Sequence, residues 1–479
     1  MNYFYFFFFL FLSILLFIKP LIVFICKKID KAENLNILGG LTFSIGLAMT
    51  IFAISAAWTE RLWILVTLVL GILLCIRGLV VIFFLEKIKR ILPIYLNHYY
   101  KFSIPIFIAM TSLGLFVLST DYIGPQKDIT ECKSDKTISV ICGISNPEDI
   151  VITPDNKYLV ISEFGSVKPY DSTKPGRFAL LRLLISDFGS VKSHNSSKPG
   201  GFALLRLSDS KILEPKIIFS KNAWGESSCR QKDIFGPHGI DLVQREDGRY
   251  QLGVINHYPH ESIEMFELTQ GTGQEEWSFV WRGCVDVPEK YYLNDIALKK
   301  DGTFYVSHMY PRDISMTEWL ITTILKKKSG VILDWNKNNF EEIMNSEGSG
   351  PNGIALNEST NNLFISYNQG DQIVKFDLSK NKKLQSFKVE SPDNIYIQGD
   401  SLWLTSLDFQ PNDAGDCIIR PACSLPFSIY EIDKETFVLK NENSFNKTVF
   451  GLPTIAVPVG NTIFIGSFHS DRLGYFSQK

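Results

Sequence analysis

The sequence predicts an all-β six-bladed β-propeller ectodomain preceded by a four-helix transmembrane region. Three observations predict it. Residues 1–120 hold four apolar runs. The remainder repeats one strand–turn–strand pattern six times. Acidic and amide side chains recur at one position of that repeat, immediately before its first strand.

The apolar runs span about 3–26, 36–58, 62–85 and 102–119. Each has about the 17–25 residues needed to cross hydrocarbon. The first has no basic residue ahead of it. A cleaved signal peptide has a basic n-region, so the run reads as a retained helix, with cleavage as the alternative. Loop 27–35 carries Lys27, Lys28 and Lys31, loop 59–61 carries Arg61, and loop 86–101 carries Lys87, Lys89, Arg90 and Lys101. Positive loops stay in the cytoplasm. Both chain ends and everything after Thr120 are then expected outside it, at a cell surface or in a periplasm or lumen. Arg77 lies inside the third run; an intramembrane charge is a functional candidate, but it is near enough to one end to snorkel.

The cysteines agree with that sidedness. Of eight, Cys26 and Cys75 fall in apolar runs; Cys132, Cys142, Cys229, Cys284, Cys417 and Cys423 follow the last one. An oxidising compartment pairs them. Local pairs 132–142 and 417–423, leaving 229–284, are one of about 15 connectivities that six cysteines allow. Asn195, Asn357 and Asn446 head N-x-S/T sequons. Lys and Arg number 48 against 50 Asp and Glu, for a net charge of −2. They form no basic stripe, which excludes nucleic acid as a partner.

The repeat organises the rest. Its copies begin at Glu148, His238, Asn294, Asn352, Asp393 and, more weakly, Thr454. Each runs through an anchoring isoleucine, at 150, 240, 296, 354, 395 and 455, then a turn and a second strand that often ends in Ser. The intervals are 90, 56, 58, 41 and 60 residues. A period of about 40–60 with paired strands marks a propeller, because one blade cannot bury both faces of its sheet and a ring of blades can. The interval of 90 contains a tandem duplication. Residues 161–183 and 185–207 are identical at 17 of 23 positions, at an offset of 24. Without one copy the interval is 66. One copy is expected to loop out or pack poorly; an enlarged first blade that uses both is the alternative. The domains are then a membrane region 1–120, a linker 121–145 with Cys132 and Cys142, and a propeller 146–479.

Residues just before the innermost strands crowd the mouth of a propeller's tunnel. Here they are Glu148-Asp149, Pro237-His238-Gly239, Asn294-Asp295, Asn352 and Asp393-Asn394. Converging carboxylates without Lys or Arg repel one another unless a cation sits among them. An oxygen-only donor set selects Ca²⁺ over Zn²⁺, which prefers His or Cys. A single Asn-Asp before a strand is an ordinary turn signal; five such sites in register point to calcium.

These motifs carry a family resemblance. E-D-I, P-H-G-I, V-I-N-H-Y-P-H-E-S-I-E-M-F-E-L, L-N-D-I, P-N-G-I and P-D-N-I, in this order over about 146–470, resemble the motifs of paraoxonases and related arylesterases. The resemblance implies a six-bladed propeller with two calcium ions. Glu148, Asn294, Asn352, Asp393 and Asn394 would hold a catalytic ion. Asp149, Asp295 and the main-chain carbonyl of Ile240 would hold a structural one. His238 and His257 match the family's histidine pair, although His260 lies three residues beyond His257. The implied activity is hydrolysis of lactones or aryl esters: Ca²⁺ polarises the carbonyl and His238 activates water, oriented by His257. The alternative is a calcium-stabilised propeller that binds or recognises without turnover, since fold does not set function. The chain departs from the resemblance in its four-helix start, in the duplication, and in having no cysteine after Cys423 to clasp the C-terminus. Ring closure is therefore expected from strand pairing. Segment 311–330 has helical spacing at Trp319, Leu320, Ile324 and Leu325 with a basic end, and reads as a lid over the mouth or as an ordinary surface helix.

Overall fold

Pro20 decides how the first apolar run folds. In the computed structural model, which describes residues 2–31, 35–55, 62–119, 129, 131–164, 166–167, 196–198, 200–232, 234–258, 260–271, 276–408 and 422–478, that run is two helices. These are α1 (Asn2–Leu15) and α2 (Lys19–Lys31), bent by 80°. Proline has no N–H and its ring clashes with the carbonyl four residues back, so one helix cannot continue through it. In the first turn of α2 that N–H is not needed. The single helix expected over 3–26 is therefore a bent pair. Among the described residues, three stretches are long and apolar enough to cross a membrane: Ile37–Ile54, Trp63–Phe83 and Tyr99–Leu118. The bent pair is a fourth only if it acts as one span.

Those stretches belong to α3 (Leu35–Ser55), α4 (Leu62–Phe83) and α6 (Tyr99–Ser119). Gly39 and Gly46 of α3 lie directly against Gly78 and Gly71 of α4, the small-residue contact that lets membrane helices approach closely. The loop read as 86–101 contains a further helix, α5 (Leu85–Asn97), whose exposed side carries Glu86, Lys87 and Arg90 together with Ile91 and Ile94. The chain divides into two units, residues 1–126 and 127–479.

The second unit is the six-bladed propeller. Its innermost strands are Pro147–Ile152, Pro237–Gln244, Tyr291–Leu298, Pro351–Asn357, Pro392–Gln398 and Pro453–Val459. Each is the first strand of a separate sheet, and each neighbours the next, the sixth returning to the first. All six anchoring isoleucines are buried on these strands. Closure comes from the chain ends: Ser139–Cys142 pairs antiparallel with Arg472–Tyr475 in the sixth blade. The segment read as a linker thus supplies that blade's outermost strand, as expected from pairing in the absence of a terminal cysteine clasp.

Cys132–Cys142 and Cys229–Cys284 are disulfides. Cys423 is also disulfide-bonded, to a partner outside the described residues. In the first blade, the strand Tyr158–Glu163, which runs into the first duplicated copy at Ile161, pairs with Gly201–Arg206 from the second. The expectation that one copy loops out falls on residues 168–195, which lie outside the described residues. Segment 311–330 contains a helix, α7 (Met316–Ile324), started by a capping box between Ser315 and Glu318. Trp319 is buried, whereas Ile321 and Leu325 are exposed.

Candidate metal centre

Every inner strand's ladder shifts register near its start, the third blade's twice in succession, at Tyr292–Leu293 and Leu293–Ile296. The pairing shifts between Pro147 and Asp149, between Leu293 and Ile296, between Pro351 and Ile354, between Pro392 and Ile395, and between Pro453 and Ala456. In the second blade the shift falls opposite His238, between Val254 and Asn256. A bulge leaves a residue unpaired and re-aims its side chain. The residues inside these irregularities are Glu148, Asn294-Asp295, Asn352-Gly353, Asp393-Asn394 and Thr454-Ile455. Five of the six strands begin at a proline, which is tolerated at a strand's first position because it has no ladder N–H to give. The serine that often closes the second strand now has a reason. Ser162 and Ser307 accept the N–H groups of Asp149 and Asp295 at 2.9 and 3.0 Å, which the bulges remove from the ladder.

Glu148, Asn294, Asn352, Asp393 and Asn394 are all buried. Each carries a buried oxygen with no hydrogen-bond partner among the described residues: Glu148 Oε2, Asn294 Oδ1, Asn352 Oδ1, Asp393 Oδ1 and Asn394 Oδ1. Leaving such an oxygen without a partner costs about 1–3 kcal/mol. They come from four different blades. Charge links them: Glu148 is raised well above the usual carboxylate range, first by burial and then by Asp393, Asp149 and Asp295. Burial and Asp295 push Asp393 up to about 8, against a hydrogen bond from Asn352. Among the described residues, no three His, Cys, Asp or Glu side chains gather as a metal group on their own. The donor set here is mixed, with three amides beside two acids.

Three carboxylates further along the inner strands behave differently. Asp149 accepts from Ile150 N at 2.8 Å and from Ile240 N of the next blade at 2.7 Å. Asp241 accepts from Leu242 N and Leu298 N. Asp295 accepts from Ile296 N and Ile354 N. Each staples its own strand to the next one, joining blades one to four. Burial nonetheless raises all three, Asp149 to about 8, Asp241 to about 6, and Asp295 well above its ordinary value. They open onto a tunnel cavity of about 300 Å³ lined by Ile150, Ile152, Ile240, Ile296 and Tyr396 among others. Two glycines let adjacent strands approach this closely. A Cβ on Gly239 would collide with Asp295 Oδ1 and the Asn294 carbonyl, and one on Gly353 with the backbone of Asp393 and Asn394.

His238 stands beside the ring. Its Nδ1 is 2.8 Å from the main-chain oxygen of Asn294, which can only accept, so Nδ1 carries the proton. Nε2 is then the basic nitrogen, 3.5 Å from Glu148 Oε1. The rings of His238 and His257 lie 5.0 Å apart at 73°, and Phe164 meets both edge-on. His260 is half exposed and pairs with Asp286 and Lys232, away from His238. His257 stacks on Tyr292 at 4.8 Å, and Tyr292 on Tyr310 at 5.1 Å. Burial and then Arg312 hold the His257 imidazole down, at about 3, so it is neutral. The strand ending at Pro311 pairs with the strand carrying Asn294, through Tyr291↔Pro311 and Tyr292↔Tyr310. The segment leading into α7 therefore leaves the propeller at the end where these donors lie.

Sequence reasoning brought together the donors and His238 but missed Phe164, Asp241, Glu261 and Tyr292. Asp241 had a signal, one residue past the anchoring isoleucine in H-G-I-D. Glu261, which meets His257, had none.

A closed six-bladed propeller with buried acid and amide oxygens at its axle and a histidine beside them defines the class of fold and the place of its site. The arylesterase family profile matches residues 171–473, more than half of the chain, and the protein belongs to that family. Glu148 and Asp149 lie ahead of the matched span. Among solved structures, the luciferin-regenerating enzyme is similar at 12% identity over 71% of this chain and 95% of that one, with a TM-score of 0.39. A Thermus thermophilus protein assigned as an oxidoreductase (glucose dehydrogenase) is similar at 12% identity over 71% and 98%, with a TM-score of 0.38. Likenesses of this size say nothing about chemistry. A search of curated proteins finds no match.

Proposed function

We propose that the protein is a membrane-anchored, calcium-dependent hydrolase of lactones or aryl esters. The observation that carries this reading is the set of five buried oxygens from four blades, without a partner among the described residues, near the basic nitrogen of His238. Glu148, Asn294, Asn352, Asp393 and Asn394 fit an oxygen-seeking cation that tolerates irregular geometry. Asp149, Asp295 and the Ile240 carbonyl fit a second, structural Ca²⁺. The acids' mutual repulsion supports a positive charge among them.

When bound, calcium supplies Lewis acidity to the carbonyl oxygen of the ester or lactone. His238 Nε2 accepts a proton from the attacking water, with Nδ1–H held on Asn294. The neutral His257 orients His238 and helps carry that proton away. Phe164 and the Tyr292–Tyr310 stack form an apolar wall against which an acyl or aryl group can pack. The segment around α7 acts as a lid. The apolar helices anchor the chain, and the basic loops support a propeller outside the cytosol, where disulfides persist.

The test uses the full chain in detergent. Phenyl acetate and a γ-lactone are offered with calcium, with a chelator, and to His238→Gln. Calcium-dependent hydrolysis lost in the variant is expected. Chelator-resistant hydrolysis would remove the metal from the mechanism, and a calcium-loaded, folded but inert protein would favour the non-catalytic binding ectodomain.

A further inference from the structure

A carboxylate that the metal centre does not use is buried behind His257. Glu261 is 5% exposed, and its Oε1 lies 2.7 Å from His257 Nδ1. The guanidinium of Arg312 approaches the same oxygen at 3.4 Å. Arg312 is held in turn by a hydrogen bond from its Nε to the Tyr291 carbonyl. On its other side, the His257 ring is fixed by stacking on Tyr292.

The fold gains little from this arrangement. Burying a carboxylate is costly unless it is paired and hydrogen-bonded throughout, and Glu261 Oε2 has no partner among the described residues. An apolar side chain would fill the space without that penalty. What the carboxylate does provide is a ring constraint. A carboxylate accepts, so the proton sits on Nδ1 and Nε2 becomes the accepting nitrogen of His257. Second groups that fix a histidine's tautomer and rotation are the usual third member of a nucleophile-activating relay.

We infer that Glu261, with its countercharge from Arg312, is a positioning residue that locks His257 in the Nδ1–H tautomer beside His238. This rests on the hydrolase reading above, and it extends the histidine pair to a His238–His257–Glu261 line anchored on the segment that leads into α7.

The test compares Glu261→Leu, Glu261→Gln and His257→Gln, singly and combined, in the full chain. Glu261→Leu is expected to lower kcat for phenyl acetate or a γ-lactone by at least about tenfold, with KM and calcium affinity within twofold. Glu261→Gln, whose amide oxygen can still accept from Nδ1–H, recovers most of that loss. In the His257→Gln background, Glu261→Leu costs nothing further. Nitrogen NMR of ¹⁵N-histidine protein reads the tautomer directly: His257 stays Nδ1–H in the wild type and in Glu261→Gln, and becomes mixed in Glu261→Leu. If Glu261→Leu does not fold, Glu261→Ser, too short to reach the ring, carries the same readouts. An unchanged kcat, a loss that persists in the His257→Gln background, or an unchanged tautomer each overturns the inference. A wild type inert toward both substrate classes sinks the hydrolase reading alone, and the tautomer measurement still decides the role of Glu261.

Discussion

Two tiers of acid and amide groups line the same tunnel and are treated in opposite ways. At the mouth, Glu148, Asn294, Asn352, Asp393 and Asn394 present oxygens that nothing among the described residues satisfies. Deeper in, Asp149, Asp241 and Asp295 commit both oxygens to backbone N–H groups, one of their own strand and one of the next blade. Burial raises acids in both tiers. The difference is that the deeper tier already bonds to the ring's own backbone, so a cation there would add to an architecture that is in place, whereas the mouth oxygens are left for something outside the chain. Charge and burial alone do not separate a binding group from an architectural one; the fate of each oxygen does.

That contrast can be broken by four experiments. Asp393→Asn keeps the shape and removes a mouth charge; it should lower kcat/KM for phenyl acetate by roughly 10²–10³-fold, with a melting temperature close to wild type. A strong loss of folding with little loss of rate would merge the two tiers. Asp295→Ala leaves the N–H groups of Ile296 and Ile354 buried without an acceptor. It should destabilise the propeller by about 2–4 kcal/mol, read by denaturant unfolding.

Calcium removal sharpens the comparison through pH. Asp149 and Asp393 sit at about 8 in the folded chain against roughly 3.9 in an unfolded one. The folded state therefore binds more protons between those values. Stability of the chelated protein should fall as pH rises from about 5 to 8. Saturating calcium should flatten that slope, and a chelated protein that melts higher at the upper end of that range than at the lower would falsify the assignment of repulsion to these acids. The smallest effect is expected from a region in neither tier. Deleting residues 168–191 restores one copy of the duplication and joins Val167 to Lys192. The shorter connection between Val167 and Ser196 should stabilise the first blade by about 1–2 kcal/mol, with hydrolysis unchanged. A loss of activity would show that the second copy serves the site.

The sequence carried a large part of this. A strand is recognised by alternation and a blade by recurrence, and both are local in the chain. The isoleucines at 150, 240, 296, 354, 395 and 455, the prolines ahead of most of them, and the acids and amides between were therefore readable as six inner strands with donors at their starts. The Cys132–Cys142 and Cys229–Cys284 pairs were among the readable possibilities. The family membership followed from motif order. Hydropathy reads the first apolar run as one helix because it counts residues and ignores the backbone: Pro20 is one residue in an apolar stretch, yet the chain bends there by 80°.

Other features depend on contacts between residues far apart in the chain, and no local pattern encodes them. That His257 stands beside His238, with their rings 5.0 Å apart, while His260 pairs with Asp286, is visible only in three dimensions. The role of Glu261 rests on its meeting with Arg312, about fifty residues further on. The split between Asp149 and Glu148, neighbours in sequence, rests on an amide of the next blade reaching one and not the other. Residue type and spacing could announce that charge gathers at the axle. Only the closing of the ring determines which of those oxygens meet a main-chain N–H, because those amides come from blades that meet only in three dimensions.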